Sequence, residues 1–123
     1  MLLMKVLIVD DNESVTEVVK DFFELDNIEC ISVNNGREGL TEIQNNNYDL
    51  ILLDIAIPEY SGLDILNELK RQCIENKNIV IFTASVFKDE DAEKFLEIGV
   101  KEVCLKPISL EKLEAIKQEY LRK

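Results

Sequence analysis

Residues 50–62 read LILLDIAIPEYSG. Four aliphatic residues lead directly into one carboxylate, Asp54, and the chain then passes through Pro58 to Gly62. A short, unbroken aliphatic run fits a strand buried on both faces, which is how the strands of a parallel sheet read. An aspartate ending such a run is expensive unless something pairs with it or it lies at a surface. So the strand predicts both the sheet type and the edge of that sheet where chemistry belongs.

Outward from this stretch, short aliphatic runs alternate with longer amphipathic ones. MKVLIV (4–9) is a buried-strand candidate, and ESVTEVVKDFFEL (13–25) is a helix with Asn12 as its N-cap and Val15, Val18, Val19 and Phe22 on one face. ECISV (29–33) is a shorter strand. NNGREGL turns into a helix carrying Leu40 and Ile43; no alternating strand follows Asn35-Gly36, so this is a loop-to-helix turn and not a hairpin. The opening strand itself runs over YDLILL (48–53). Then come a helix GLDILNELKRQ (62–72) with Leu63, Leu66 and Leu69 at helical spacing and a strand NIVIF (78–82). KDEDAEKFLEIG (88–99) is a helix with an acidic first turn, stopped by Gly99. The last unit is a strand EVCL (102–105) and a helix SLEKLEAIKQEYL (109–121), capped by Ser109, with Leu110, Leu113 and Ile116 facing inward.

Five strand–helix units in alternation predict an α/β fold: a doubly wound, five-stranded parallel sheet with right-handed crossovers and helices on both faces. There is no linker, low-complexity stretch or repeat beyond the unit itself. With 123 residues, 46% of them hydrophobic, the expectation is one domain over residues 1–123.

The formal net charge of −11 repels phosphate backbones and anionic headgroups, so neither direct nucleic-acid binding nor membrane binding is expected. Metal cations and basic protein patches suit such a surface better. Cys30, Cys73 and Cys104 form no CxxC pair, which fits a reducing cytoplasm and neither a disulfide framework nor a zinc site. The chain has no histidine, which removes the commonest metal ligand and general base and excludes it as a phosphohistidine donor. MLLMKVLIV is short and followed at once by charged residues; it reads as a strand, not as a signal peptide or membrane span.

Open parallel sheets bind ligands outside the carboxyl ends of their strands. The first strand ends in Asp10-Asp11, the third in Asp54, the fourth in Thr83-Ala84 and the fifth in Lys106-Pro107; the second ends in the bland Asn34-Asn35. Each alone has an ordinary reading: a helix cap, a turn former, a proline that stops a strand. Together they put three carboxylates, a hydroxyl and an ammonium on one edge. Crowded carboxylates need a cation, and an oxygen-rich pocket without histidine suits Mg²⁺. A phosphoryl group arriving at Asp54 would meet that ion, Lys106 and the Thr83 hydroxyl, and phosphoryl transfer is mostly positioning and charge neutralisation.

Asp10-Asp11-Asn12, LLDIAIPEYSG with Asp54, Pro58 and Gly62, Thr83-Ala84 and Lys106-Pro107 closely resemble the receiver domain of two-component response regulators, over nearly the whole chain and including NGREGL. The resemblance implies a flavodoxin-like fold with strand order 2-1-3-4-5. It implies that Asp54 accepts a phosphoryl group from a sensor histidine kinase or phosphotransfer protein. Asp10, Asp11 and Asp54 would hold Mg²⁺, with Mn²⁺ as a substitute, and the backbone carbonyl of Ala56 would complete the protein ligands. Thr83 would be the switch hydroxyl, and Lys106 would bind a phosphoryl oxygen, its bond to Pro107 being typically cis. The implied function is a phosphorylation-activated, cytoplasmic signalling switch acting on a downstream protein. It assists its own phosphorylation and dephosphorylation but is not an enzyme in the usual sense. The downstream protein, the oligomeric state, and whether the chain stands alone, relays phosphate or belongs to a longer protein stay open.

Two positions depart from the family pattern. Val103 stands where a Tyr or Phe three residues before the lysine usually moves with the switch hydroxyl; Phe87 is a candidate substitute, though ordinary packing is the better explanation of it. Ala56 and Ser85, two past Asp54 and Thr83, are small, which leaves the phosphoryl group open to water. A receiver-like interaction module that no longer cycles phosphate is the alternative that Val103 favours. A haloacid-dehalogenase-type phosphatase would need a second Asp where Ala56 stands, and room for a cap domain.

Overall fold

Along each strand, successive side chains point to opposite faces of the sheet, and this chain fills both with apolar residues. Val6, Ile8, Leu50, Leu52, Val80 and Phe82 join one buried cluster; Leu7, Val9, Ile51, Leu53, Ile79 and Ile81 join another. The strands that carry them therefore have no polar face, and helices must cover both sides.

The structure, a computed structural model, describes residues 3–75, 77–84 and 88–121. The elements are β1 (Lys5–Val9), α1 (Glu13–Glu24), β2 (Glu29–Val33), α2 (Gly36–Asn45), β3 (Leu50–Leu53), α3 (Gly62–Arg71), β4 (Ile79–Thr83), α4 (Asp89–Ile98), β5 (Val100–Leu105) and α5 (Leu110–Tyr120). They build a parallel sheet in the order β2-β1-β3-β4-β5, as the resemblance implied. Helices α1 and α5 cover the first cluster through Val19, Phe23, Leu113 and Ile116. Helices α2, α3 and α4 cover the second through Leu40, Ile43, Ile65, Leu66, Leu69 and Phe95. Strand β3 lies at the centre, with Val9 paired to Leu53 on one side and Ile81 paired to Leu53 on the other. Between β4 and β5 the register jumps from Ile79↔Val100 to Val80↔Glu102, a bulge at Lys101.

Local chemistry explains where the helices begin and end. The side chains of Asn12, Asn35, Ser61 and Ser109 each accept a backbone N–H from the first turn that follows, and Ser61 forms a capping box with Asp64. Gly99 ends α4 with φ +110°, the left-handed conformation that glycine adopts without penalty.

Three side chains expected to face inward do not. Val18, Leu63 and Leu110 are 55%, 39% and 64% exposed, whereas Phe23 and Ile65 are buried. A helical side chain leans toward the N-terminus of its helix. Leu63 and Leu110, in the first turns of α3 and α5, therefore lean past the helix start; Val18 sits on the rim of the α1 stripe centred on Val19 and Phe23. Strand β5 also starts two residues earlier than EVCL suggests. Among the described residues, no helix is long and apolar enough to cross a membrane.

Candidate functional site

The sheet's hydrogen-bond ladder continues one residue past three strands. Asp10 N–H donates to the Val33 carbonyl (3.1 Å), Asp54 N–H to the Val9 carbonyl (3.0 Å), and Lys106 N–H to the Thr83 carbonyl (2.9 Å). The backbones of all three charged residues are thus fixed by the sheet before any side chain is considered, and Thr83, buried, closes β4 beside Lys106.

The side chains then converge. Lys106 Nζ lies 2.7 Å from Asp10 Oδ2 and 3.0 Å from Asp54 Oδ2, so one ammonium bridges two buried carboxylates. Each carboxylate gives its other oxygen to a backbone donor: Asp10 Oδ1 accepts from Asn12 N–H (2.9 Å), and Asp54 Oδ1 accepts from Ala56 N–H (3.0 Å). Asp11 is exposed, yet one of its oxygens lies within 4.8 Å of oxygens of Asp10 and Asp54. The Lys106–Pro107 bond is cis.

Burial raises the pKa of Asp10 above its ordinary value, and the hydrogen bonds from Lys106 and Asn12 only partly offset this. For Lys106 burial works against the charge, but the hydrogen bonds and negative charges of Asp10 and Asp54 outweigh it and hold the pKa above the ordinary lysine value. The pocket therefore favours positive charge: among the described residues, three carboxylates gather where one ammonium pairs with two of them. Hard oxygen donors at this spacing, with no nitrogen or sulfur ligand among them, fit a divalent ion such as Mg²⁺.

The loop from β3 to α3 carries Ala56 and is folded tightly against Asp54. Gly62 N–H donates to the Ile55 carbonyl (3.0 Å), and a β-carbon at Gly62 would lie 2.5 Å from the Asp54 carbonyl oxygen and 2.8 Å from Ile55 Cα. Only glycine permits that approach. At the loop's tip Tyr60 N–H donates to the Pro58 carbonyl (2.8 Å), a three-residue turn around Glu59, whose φ of 69° is unusual for a residue with a side chain.

The structure thus brings Asp10, Asp11, Asp54 and Lys106 into direct proximity and places Thr83 and Ala56 on the segments flanking them. Val103 is half-buried against the cluster under α2, α3 and α4. Ser85 and Phe87 lie outside the described residues. Sequence reasoning missed that Asn12, besides capping α1, donates its own N–H to Asp10. It also missed that the start of α2 packs on the β3–α3 loop at Gly36, Arg37 and Tyr60; NGREGL and PEYSG each flag a turn, but neither reveals that the two turns touch.

Comparison with known proteins agrees with this geometry. The chain belongs to the response regulator receiver domain family, which it matches over residues 6–118. It is 35% identical to the transcriptional regulatory protein CiaR of Streptococcus pneumoniae over 98% of its own length and 53% of CiaR's, so it spans about half of that relative. It superposes with a TM-score of 0.83 on the receiver domain of the Francisella response regulator 1452, at 30% identity, covering 97% of this chain and 98% of that one. The Thermotoga maritima response regulator TrrA, solved in complex with Mg²⁺–BeF, gives a TM-score of 0.81 at 26% identity, covering 96% and 99% of the two chains.

Proposed function

We propose that residues 1–123 form a single receiver unit that works as a phosphorylation-controlled switch in the cytoplasm, with Asp54 as the phosphoacceptor. The observation that carries this reading is the bridge from Lys106 to both Asp10 and Asp54, with Asp11 close by. A lysine held between two buried carboxylates is already positioned to meet negative charge delivered to either one.

The donor, as in the receiver family, is a phosphohistidine on a sensor histidine kinase or phosphotransfer protein; residues 1–123 hold no histidine that could serve. An Asp54 Oδ attacks phosphorus; the O–P bond forms as the N–P bond breaks, and the imidazole nitrogen leaves with the electron pair. Asp10, Asp11, Asp54 and the Ala56 carbonyl would hold Mg²⁺, or Mn²⁺ in its place, which when bound would withdraw charge from the phosphoryl oxygens. Lys106 exchanges a carboxylate partner for a phosphoryl oxygen. The Thr83 hydroxyl donates to another oxygen, and this movement at the end of β4 favours a second conformation with a different partner surface. Turnover of a separate substrate is not part of this function. The exposed, small Ala56 leaves water a path to the phosphoryl group, so the phosphorylated state decays on its own.

Mixing the protein with acetyl phosphate and Mg²⁺ tests this by mass spectrometry. One phosphoryl group should add to the wild type and none to Asp54→Asn. An unmodified wild type that also fails to bind beryllofluoride would instead establish the non-cycling interaction module, the reading that Val103 favours.

A further inference from the structure

The start of α2 and the β3–α3 loop meet at two unusual contacts. A β-carbon on Gly36 would fall 1.8 Å from the Tyr60 carbonyl oxygen, so the helix lies directly on the loop's backbone. The Arg37 guanidinium stacks 3.9 Å from the centre of the Tyr60 ring. Beside these contacts the junction is hollow: Asn35, Gly36, Arg37, Pro58, Glu59 and Tyr60 line a cavity of about 270 Å³.

We propose that Arg37 and Tyr60 are positioning residues for the site, clamping the loop that carries Ile55 and Ala56 in register with Asp54. Three observations support the clamp. The turn at Glu59 has a conformation that persists only when its surroundings enforce it, and Tyr60 is the next residue. Ile57 is buried in the core beneath the loop and Gly62 is pressed against Asp54 and Ile55, so the stretch Pro58–Tyr60 between these two anchors is the part the stack holds. Ala56 N–H is bonded to Asp54 Oδ1, so any slack in the loop reaches the phosphoacceptor directly. Arginine stacks its planar guanidinium on an aromatic ring in a way lysine does not reproduce. The clamp deepens the phosphoacceptor reading and rests on it for its functional value, but the loop's rigidity can be measured without phosphate.

The test is amide hydrogen exchange at Ala56 in the metal-free full chain, with Leu113 N–H, bonded to the Ser109 carbonyl in α5, as control. Exchange at Ala56 should rise about fivefold in Arg37→Ala and about tenfold in Tyr60→Ala, with Leu113 unchanged. Tyr60→Phe, which keeps the ring, should match the wild type. An NMR titration with Mg²⁺ should show a weaker midpoint in Tyr60→Ala, restored in Tyr60→Phe. Because Arg37 is exposed, Arg37→Ala leaves the core intact. Exchange at Ala56 within twofold of the wild type in both alanine variants overturns the clamp, as does an equal rise in Tyr60→Phe or an unchanged Mg²⁺ midpoint in Tyr60→Ala. A rise at Ala56 in a protein whose wild type takes neither Mg²⁺ nor phosphoryl group upholds the clamp and defeats the site assignment instead.

Discussion

Gly62→Ala sets two physical effects against each other, and the sign of the result decides between them. Gly62 is the first residue of α3, where alanine is intrinsically the better helix former by up to about 1 kcal/mol. Judged by propensity alone, the variant should be more stable. The added methyl, however, would stand 2.5 Å from the Asp54 carbonyl oxygen, about 0.9 Å short of the 3.4 Å at which ordinary contact begins. Its other close neighbour is also backbone, Ile55 Cα, so no flexible side chain can give way. Overpacking of this kind costs about 1–3 kcal/mol; at about 2 kcal/mol, the middle of that range, a gain of up to about 1 kcal/mol leaves a net loss of about 1–2 kcal/mol. At roughly 3–6 °C per kcal/mol for a domain of this size, the melting temperature should fall by about 3–12 °C. The displaced atoms belong to Asp54 and its neighbour, and a misplacement near 1 Å at a reacting group can cost about a hundredfold in rate. Thermal denaturation with phosphorylation by acetyl phosphate, run on the same preparations, measures both. A melting temperature equal to or above the wild type, with an unchanged phosphorylation rate, would refute the claim that the loop is pressed against Asp54.

Asp54→Asn should stay within about 1 kcal/mol of wild-type stability in denaturant titrations without Mg²⁺, because Lys106 keeps Asp10 as a partner and the amide oxygen can still accept from Ala56; a loss above about 3 kcal/mol would show that the Asp54–Lys106 pair is structural. Burial raises the Cys30 thiol to about 12 and the Cys104 thiol in the same direction, while Cys73 is exposed. One thiol should therefore react quickly with a disulfide reagent near pH 8 in the native protein, and all three after denaturation. The hydrogen bond from Lys112 lowers the pKa of Glu102 from its ordinary 4.5. Its contribution is present above that ordinary value and disappears as the pH falls through the lowered one. Glu102→Gln should flatten the acid limb of the stability curve by about 0.5 kcal/mol or less, both side chains being partly solvated.

Much of the fold was legible because the three central strands have no polar face. LILL and IVIF can be satisfied only between two layers of helices, and alternation with amphipathic segments forces a parallel sheet. The site was legible for a related reason: parallel strands all end at the same edge, so reading the residue after each run assembles Asp10, Asp54, Thr83 and Lys106 without coordinates. What sequence could not give was which oxygen Lys106 would choose, since that depends on side-chain reach between strands. Nor could it give the contact of Gly36 with Tyr60, which depends on how α2 and the β3–α3 loop pack and leaves no periodic trace. The misplaced Val18, Leu63 and Leu110 share a cause: helical spacing locates the centre of an apolar stripe but not its rim or its ends.

Ile51 and Leu52 are joined by a peptide bond, yet the sheet sends one to the α2–α3–α4 side and the other to the α1–α5 side. The molecule is in effect two small interiors that share a wall. Trimming Ile51 and Leu52 would damage separate compartments, and covalent neighbours would behave energetically like distant residues. Val19 and Leu52, 33 positions apart, would instead compensate for or aggravate each other. Variation can therefore remodel the helices of one compartment while the other, and the row of strand ends that both support, stays as it is.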